Sequence, residues 1–310
     1  MRIFVTGATG YIGRVVTEQA LAEGHAVYGL SRNEAGDAQL RAQGATPVRG
    51  DLTSLDALGQ ASAQAEAVLH LAYIHDFGMD YEEVLRIDAA AVDALGGPLR
   101  GTEKAFVITS GTALVDPDPD GGETTEDSPL TQTFALKDRI RSERHALRLS
   151  EDGVRVSAIR LPPYVYGRGG STFMPMLMQM AAKAGESVYV DDGRIRTSDV
   201  HVDDAAALYL LAARKAKAGD VFNGTGSTTV TLRQMAEAIG AALKLPVRSV
   251  SREEAEARWG QFLTVFVQFE NRSSNRKAVQ QLGWQPKEID MLTDIQSGSY
   301  RELAAKLRQG

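Results

Sequence analysis

The 310-residue chain predicts an α/β fold, a doubly wound parallel sheet followed by a smaller C-terminal lobe. Three observations carry this expectation. Ile3, Phe4 and Val5 form the short apolar run of a strand buried on both faces, and it leads directly into a glycine-rich turn. From Tyr11 the apolar residues Ile12, Val15, Val16 and Ala20 recur at helical spacing. Short apolar strands then alternate with helical stretches as far as Pro163, after which the pattern loosens.

The turn after the first strand holds Gly7, Gly10 and Gly13 in G-x-x-G-x-x-G spacing, which differs from the G-x-G-x-x-G fingerprint. Each glycine has a physical task. Gly7 permits a tight turn, Gly10 lets backbone approach a pyrophosphate, and Gly13 lets the helix pack closely on the strand. The amides of the helix N-terminus then face the phosphates, and the helix dipole favours their charge. The same turn could be scaffold alone, but its place between strand and helix favours a dinucleotide.

The first helix is expected to end near Glu23, with Gly24 beyond its cap. Ala26–Leu30 reads as the second strand, followed by Ser31-Arg32-Asn33. An NAD site usually places a carboxylate here, whereas arginine accommodates a 2′-phosphate. Arg32 stands at this point and Arg14 lies just past the third glycine, so NADP(H) is favoured over NAD. Thr46–Val48 is a third strand leading into Gly50-Asp51-Leu52. There Asp51 could accept from an adenine amino group, or it or Ser54 could cap a helix.

Val68–Ala72 is a fourth strand, with Tyr73, His75 and Asp76 at its C-terminal end, the edge where open α/β sheets bind ligands. Tyr81–Leu95 is helical and stops at Gly96-Gly97-Pro98. Ala105–Ile108 is a fifth strand running into Thr109-Ser110-Gly111-Thr112. Asp116 to Pro129 carries acidic, proline and glycine residues and no basic ones, which suggests a solvated excursion or a mobile flap. Phe134–Leu149 returns to a heavily charged helix, and Val154–Leu161 is a sixth strand closed by Pro162-Pro163. Later elements are a Met-rich helix over Phe173–Lys183, a strand over Ser187–Val190 and an apolar helix over Asp203–Ala213. Val221–Asn223 reads as a return strand, Leu232–Leu243 as an amphipathic helix, and the tail after Glu288 as helical. Met174, Met176, Met178 and Met180 fit either an adaptable apolar wall or a packed helix.

Composition narrows the functional classes. A net charge of −6 and a pI near 5.5 argue against nucleic acid as a partner. With no cysteine there is no disulfide and no thiolate metal site, and the five histidines show no metal-ligand spacing, so no metal is expected. The first strand begins at the N-terminus without a signal peptide, and the longest apolar stretch, Ala205–Ala213, is too short to span a bilayer. The expectation is a cytoplasmic protein with a small-molecule substrate, as a monomer or homodimer, free of membrane and nucleic acid.

Taken as an ordered set, several segments resemble the extended short-chain dehydrogenase/reductase family, the NAD(P)-dependent epimerase/dehydratase group. They are Thr6-Gly-Ala-Thr-Gly-Tyr-Ile-Gly13, Gly50-Asp-Leu52, His70-Leu-Ala72 and Val107-Ile-Thr-Ser110. Arg160-Leu-Pro-Pro-Tyr-Val-Tyr-Gly167, Val200-His-Val-Asp-Asp204 and Leu282-Gly-Trp-Gln-Pro286 complete the set. The resemblance implies a Rossmann-type domain over residues 1–163, rejoined by about 197–226, with 164–196 and 227–310 forming a smaller substrate-binding lobe. It implies that Thr9, Gly10, Tyr11 and Ile12 hold pyrophosphate and that Asp51 and Leu52 flank adenine. Leu71, Ala72 and Tyr73, with Thr109, would line the ribose and nicotinamide, and Leu161, Pro162, Pro163 and Tyr164 would meet the carboxamide.

One departure stands out. The family's usual Tyr-x-x-x-Lys, in which the lysine lowers the tyrosine pKa for proton exchange, is missing. Matching Glu143 to the family's downstream acidic residue sets Arg139 at the lysine and Ala135 at the tyrosine; shifting the register offers Phe134 and Asp138. Arg139 can bind the nicotinamide ribose but is a poor proton donor, because arginine stays charged. Tyr73, His75, Tyr164 and His201 are the remaining candidates for the proton, and Ser110 and Thr112 could hydrogen-bond a substrate carbonyl or cap the following turn. The reading is an NADP(H)-dependent oxidoreductase of a small carbonyl or alcohol compound with a non-standard proton donor. Its alternatives are a catalytically silent redox sensor and an epimerase or dehydratase that recycles the cofactor in each turnover.

Overall fold

The computed structural model describes residues 1–75, 78–132 and 138–309. Six strands come first: β1 (Arg2–Thr6), β2 (Ala26–Ser31), β3 (Thr46–Arg49), β4 (Ala67–His70), β5 (Ala105–Gly111) and β6 (Arg155–Leu161). Helices α1 (Tyr11–Ala22), α2 (Glu34–Gln43), α3 (Leu55–Gln64), α4 (Tyr81–Gly96) and α5 (Arg139–Arg148) connect them. There follow β7 (Tyr164–Tyr166), α6 (Phe173–Ala184), β8 (Ser187–Val190), β9 (Arg196–His201), α7 (Val202–Lys215), β10 (Asp220–Asn223) and β11 (Ser227–Thr231). Helix α8 (Leu232–Leu243), β12 (Val247–Val250), α9 (Arg252–Val267), α10 (Met291–Ser297) and α11 (Arg301–Leu307) complete the chain.

The main sheet has the order β3-β2-β1-β4-β5-β6-β10, and every pairing is parallel. This is the doubly wound order, which reverses direction between β1 and β4 and opens a crevice at their carboxyl ends. The strand pleat explains the apolar runs. Ile3 and Val5 enter the layer shared with α1 and α7, while Phe4 between them enters the layer of α3, α4 and α5. Val107, flanked by Phe106 and Ile108, repeats the division in β5. A sheet covered on both faces needs apolar residues at successive positions.

Beyond β6 the chain builds a second layer. Strands β11, β9 and β7 form one small sheet and β12 and β8 another. Met174 and Met178 are buried in the core of this region with Tyr164, Tyr166 and Met291, so the Met-rich helix packs inward along one face. The expected strand at Ser187–Val190 and helix at Leu232–Leu243 occur with those bounds. Elements that the sequence pattern conceals are β7, β9, β11, β12, α2 and α9. Strand β9 reads as polar, yet it is buried because its side chains satisfy backbone locally: Ser198 Oγ donates to Asn271 O at 2.9 Å and accepts from Ser273 N at 3.0 Å. Helix α9 is interrupted at Gly260 (φ 78°, ψ 162°), which breaks its apolar periodicity. Within the expected helix Phe134–Leu149, Arg139–Arg148 is helical. Phe134, Ala135 and Lys137, like Asp76, lie outside the described residues.

The acidic stretch after Asp116 is a loop, but it is neither solvated throughout nor free. Backbone bridges join Val115 to Leu130 and Thr124 to Ser273. The Glu126 carboxylate accepts from Asn223 N at 2.7 Å and that of Glu123 from Thr228 at 2.7 Å, so the acidic side chains themselves stitch the loop to the rest of the molecule. Among the described residues no helix is long and apolar enough to cross a membrane.

One carboxyl is out of place in this core. Asp199 of β9 is buried, its Oδ2 has no hydrogen-bond partner among the described residues, and burial, with nearby Asp290 second, pushes its pKa up to about 8. The folded chain then keeps a proton that the unfolded chain has lost above a pH of about 4, so this residue lowers stability progressively as pH climbs from about 4 to about 8. Asp199→Asn is expected to stabilise the protein by roughly 2–4 kcal/mol at pH 8 and by little at pH 4, which thermal unfolding at the two pH values measures.

Candidate functional site

The crevice is shaped first by the turn between β1 and α1. Gly7 has φ 70°, a backbone state that costs glycine nothing. A Cβ on Gly13 would lie 2.0 Å from Gly7 O, so only glycine lets α1 press onto the turn. Gly10 caps α1 without a side-chain bond, and the helix has no acidic residue in its first turn. Its leading amides point out of the N-terminus. Thr6 Oγ1 lies 2.7 Å from His70 Nδ1 and accepts from Ala72 N at 3.2 Å, which draws the end of β4 against the turn. Thr9 O accepts from Gln39 Nε2, Ile12 is half-buried, and Arg14 is exposed. The Tyr11 hydroxyl donates to Gly167 O at 2.7 Å, linking the turn to the segment after β7.

At the end of β2, Arg32 is exposed and precedes Asn33, whose Oδ1 accepts from Gly36 N at 2.9 Å and caps α2. Asp51 Oδ1 accepts from Thr53 N at 2.8 Å, Thr53 Oγ1 at 2.7 Å and Ser54 Oγ at 3.2 Å. These bonds, the Thr53 hydroxyl foremost, hold its carboxyl below the usual range. The turn before α3 is therefore braced by Asp51, while the Ser54 side chain makes no cap bond. Leu52 is buried beside it.

At the ends of β4 and β5 the sequence candidates converge. Leu71, Ala72 and Tyr73 are half-buried. Arg139, at the start of α5, lays its guanidinium over the Tyr73 ring, 3.2 Å from the ring centre, and its Nη2 donates to Thr109 O at 3.3 Å. The Tyr73 hydroxyl lies 3.3 Å from that of Tyr81, and the His75 ring meets Tyr73 edge-on at 5.2 Å. His75 sits at the rim, where partial burial, and then the Arg139 charge, hold its pKa below the ordinary value. Its imidazole is neutral at pH 7. Thr109 Oγ1 donates to His70 O at 3.0 Å and lies 2.7 Å from the Tyr209 hydroxyl.

Two buried polar atoms at this edge, Arg139 Nη1 and Ser110 Oγ, make no hydrogen bond within the described residues, nor does the Tyr164 hydroxyl in β7. Burial raises the Tyr164 pKa, so it is a neutral phenol. Leu161 and Pro162 are buried and Pro163 half-buried between Tyr164 and the sheet. Thr112 and His201 are engaged elsewhere. The Thr112 hydroxyl donates to Asn271 Oδ1 at 2.8 Å. His201 Nδ1 accepts from Asp203 N at 3.2 Å and caps α7, with its ring against Tyr166 at 5.4 Å. Proton transfer is thus a poor role for His201, whose ring is buried and spent on the cap. Sequence reasoning does not reach Tyr81, Tyr209 or Asn271, since each meets the site only through folding and none belongs to a motif.

Helix α5 is anchored to the sheet by a buried ion pair. Arg160 of β6 donates to both Glu143 oxygens, at 2.9 and 2.6 Å, with both side chains buried, and its Nη1 donates to Glu126 O at 3.1 Å. Glu143 lies one turn past Arg139 on α5, so this pair sets where the Arg139 guanidinium falls. Among the described residues there is no group of three or more side chains suited to a metal ion. The glycine-cleared helix start and the unpartnered donors fit a dinucleotide with a polar group at its reactive end.

Comparison with known proteins agrees. Residues 3–223 match the family described as "NAD dependent epimerase/dehydratase family". The chain is 40% identical over 300 residues to Uncharacterized protein C2A9.02 of Schizosaccharomyces pombe, covering 97% of this chain and all of that one. It is 28% identical over 243 residues to 4-hydroxy-2-methyl-3-oxo-4-farnesyl-3,4-dihydroquinoline-1-oxide ketoreductase of Stigmatella aurantiaca, covering 75% of this chain and 70% of that protein. Among solved structures, the human epimerase family protein SDR39U1 with NADPH superposes with a TM-score of 0.74 at 22% identity, over 98% of this chain and 99% of that one. The chain belongs to the NAD-dependent epimerase/dehydratase family, within the extended short-chain dehydrogenases/reductases.

The Glu143–Arg160 pair yields a direct test. Glu143→Ala leaves a buried, uncompensated guanidinium and is expected to cost about 3–5 kcal/mol in urea unfolding. The double variant Glu143→Leu/Arg160→Met should recover most of that loss, since matched apolar residues often replace a buried pair without penalty.

Proposed function

We propose that this chain is an NADP(H)-dependent oxidoreductase that interconverts a small carbonyl compound and its alcohol, with Tyr73 as proton donor. The observation that carries this reading is the Arg139 guanidinium stacked on the Tyr73 phenol at the sheet edge. Family membership supplies the nicotinamide cofactor; the roles of individual residues and the preference for the 2′-phosphate are our inference.

The leading amides of α1 at Gly10, Tyr11 and Ile12 would hold the pyrophosphate, with Asp51 and Leu52 beside the adenine. Leu71, Ala72 and Tyr73 would face the ribose and nicotinamide with Arg139, and Leu161 to Tyr164 the carboxamide. Arg32 supports the choice of NADP(H), because it is an exposed guanidinium where β2 ends and no carboxylate stands in its place. The NADPH in the SDR39U1 structure and the ketoreductase of Stigmatella aurantiaca are consistent with this choice and with carbonyl reduction.

When bound, the cofactor would supply the hydride for the carbonyl carbon and be oxidised in the exchange. Tyr73 would give its hydroxyl proton to the carbonyl oxygen. The phenolate left behind sits beneath the Arg139 charge, an arrangement that stabilises the anion much as the family's lysine does. Tyr81 accepts a hydrogen bond from Tyr73 and can return the proton, with neutral His75 at the rim in contact with solvent. Ser110, whose hydroxyl has no partner among the described residues, would donate to the carbonyl oxygen and polarise it.

Two measurements test this. Arg32→Ala should weaken NADPH by roughly 1.5–3 kcal/mol in a fluorescence titration and leave NADH almost unchanged. Equal losses for both nucleotides would overturn the assignment. Tyr73→Phe should lower kcat by about 10²–10⁴ while NADPH affinity holds, because one general acid is removed and the stacked ring remains. An unchanged kcat would place the proton donor elsewhere.

A further inference from the structure

We propose that Asp88 is a positioning residue of the dinucleotide crevice. Its carboxylate sets the tautomer of His70, and His70, through Thr6, fixes the end of β4 against the phosphate turn. This role concerns how the crevice is assembled and is independent of the proton donor proposed above.

Asp88 stands where the helix pattern calls for an apolar residue. On α4 it shares the buried face with Val84, Ala91, Val92 and Leu95, and it is itself buried. A carboxylate in such a stripe costs stability unless it faces a polar partner. Its partner is the imidazole of His70, also buried, whose Nε2 lies 3.8 Å from Asp88 Oδ1. That distance is longer than a hydrogen bond but within reach of direct charge attraction. Burial alone would push the Asp88 pKa up, yet His70 and then Arg139 bring it below the ordinary carboxylate value. The group is therefore an anion at pH 7.

The other ring nitrogen decides which way the hydrogen bonds run. Thr6 and His70 end β1 and β4 and are paired in register. Thr6 Oγ1 lies 2.7 Å from His70 Nδ1 and accepts from Ala72 N at 3.2 Å. With the ring proton on Nε2, the Thr6 hydroxyl donates to Nδ1 and the Nε2–H dipole points at the carboxylate. With the proton on Nδ1, the Thr6 hydroxyl hydrogen has no acceptor among the described residues, and a bare Nε2 lone pair faces an anion. Both effects favour the Nε2–H form.

The segment held in this way has little freedom. A Cβ on Gly7 would lie 2.9 Å from Ala72 N and 3.0 Å from Leu71 C, so the end of β4 is pressed onto the phosphate turn. The His70 carbonyl accepts from Thr109 Oγ1 at 3.0 Å, and Thr109 O accepts from Arg139 Nη2. One imidazole residue thus joins the turn, the end of β4 and the end of β5. Asp88 is the group that fixes its ring from the far side.

Nitrogen-15 histidine NMR of the full-length protein without nucleotide reads the tautomer, with the His70 signals assigned by their loss in His70→Gln. The wild type should carry the proton on Nε2. In Thr6→Val the hydroxyl is gone and Asp88 alone holds that form, so the Nε2–H signature should persist. Adding either Asp88→Leu or Asp88→Ala to Thr6→Val should give a mixture of the two tautomers. In fluorescence titration, Thr6→Val and Asp88→Leu should each weaken NADPH by about two- to tenfold, since each removes one anchor of the ring. The double variant should lose less than the product of the two factors, because both anchors hold the same ring. A wild-type proton on Nδ1, an Nε2–H form that survives in both double variants, or NADPH losses that are absent or simply multiply would overturn the role of Asp88.

Discussion

The bidentate contact between Glu143 and Arg160 governs this molecule because both partners are buried and neither can be spared alone. Arg160 belongs to β6 and reaches α5 through Glu143 and the acidic loop through the carbonyl of Glu126. Three pieces of chain, the acidic loop, α5 and β6, are thereby fixed to one guanidinium. A charge held in a low-dielectric interior tolerates little displacement, so the pair acts as a register mark for α5. What α5 carries into the crevice is Arg139, one turn earlier, and its position over Tyr73 follows from that register.

The crevice depends in the same way on close approach at the other side. Gly13 lets α1 settle on the carbonyl of Gly7, and Thr6 draws the end of β4 in through His70 and Ala72. Backbone therefore lines one wall of the crevice, and polar side chains gather on the other. On the function proposed above, the two walls serve different partners. Backbone amides suit the phosphates that every dinucleotide carries, whereas side chains such as Tyr73 and Ser110 would meet the substrate.

Much of this was legible before folding was considered. The strand–glycine–helix start, the alternation through Pro163 and the bounds of Ser187–Val190 and Leu232–Leu243 follow from local rules of periodicity and turn chemistry. Less legible were β9 and α9. Thr197, Ser198 and Asp199 look like a surface segment because single-residue polarity says nothing of a partner such as the Asn271 carbonyl. The acidic loop misleads for the same reason, since Glu126 and Glu123 are tied to Asn223 N and Thr228.

Within the site, the sequence placed Tyr73, His75 and Ser110 at strand ends, put Arg139 on the helix before β6 and showed that no Tyr-x-x-x-Lys follows β5. Strand ends are set by chain order, and chain order is local information. Which of these side chains meet is another matter. The stacking of Arg139 on Tyr73, the diversion of Thr112 to Asn271 and the stacking of Phe266 on Phe173 all join residues far apart in the chain. The sequence alone determined the doubly wound sheet, the glycine turn and the set of chemical groups at the crevice, because each is encoded within a few neighbouring residues. Tertiary structure alone decided their pairing, because hydrogen bonds and ring contacts depend on distances that only packing defines.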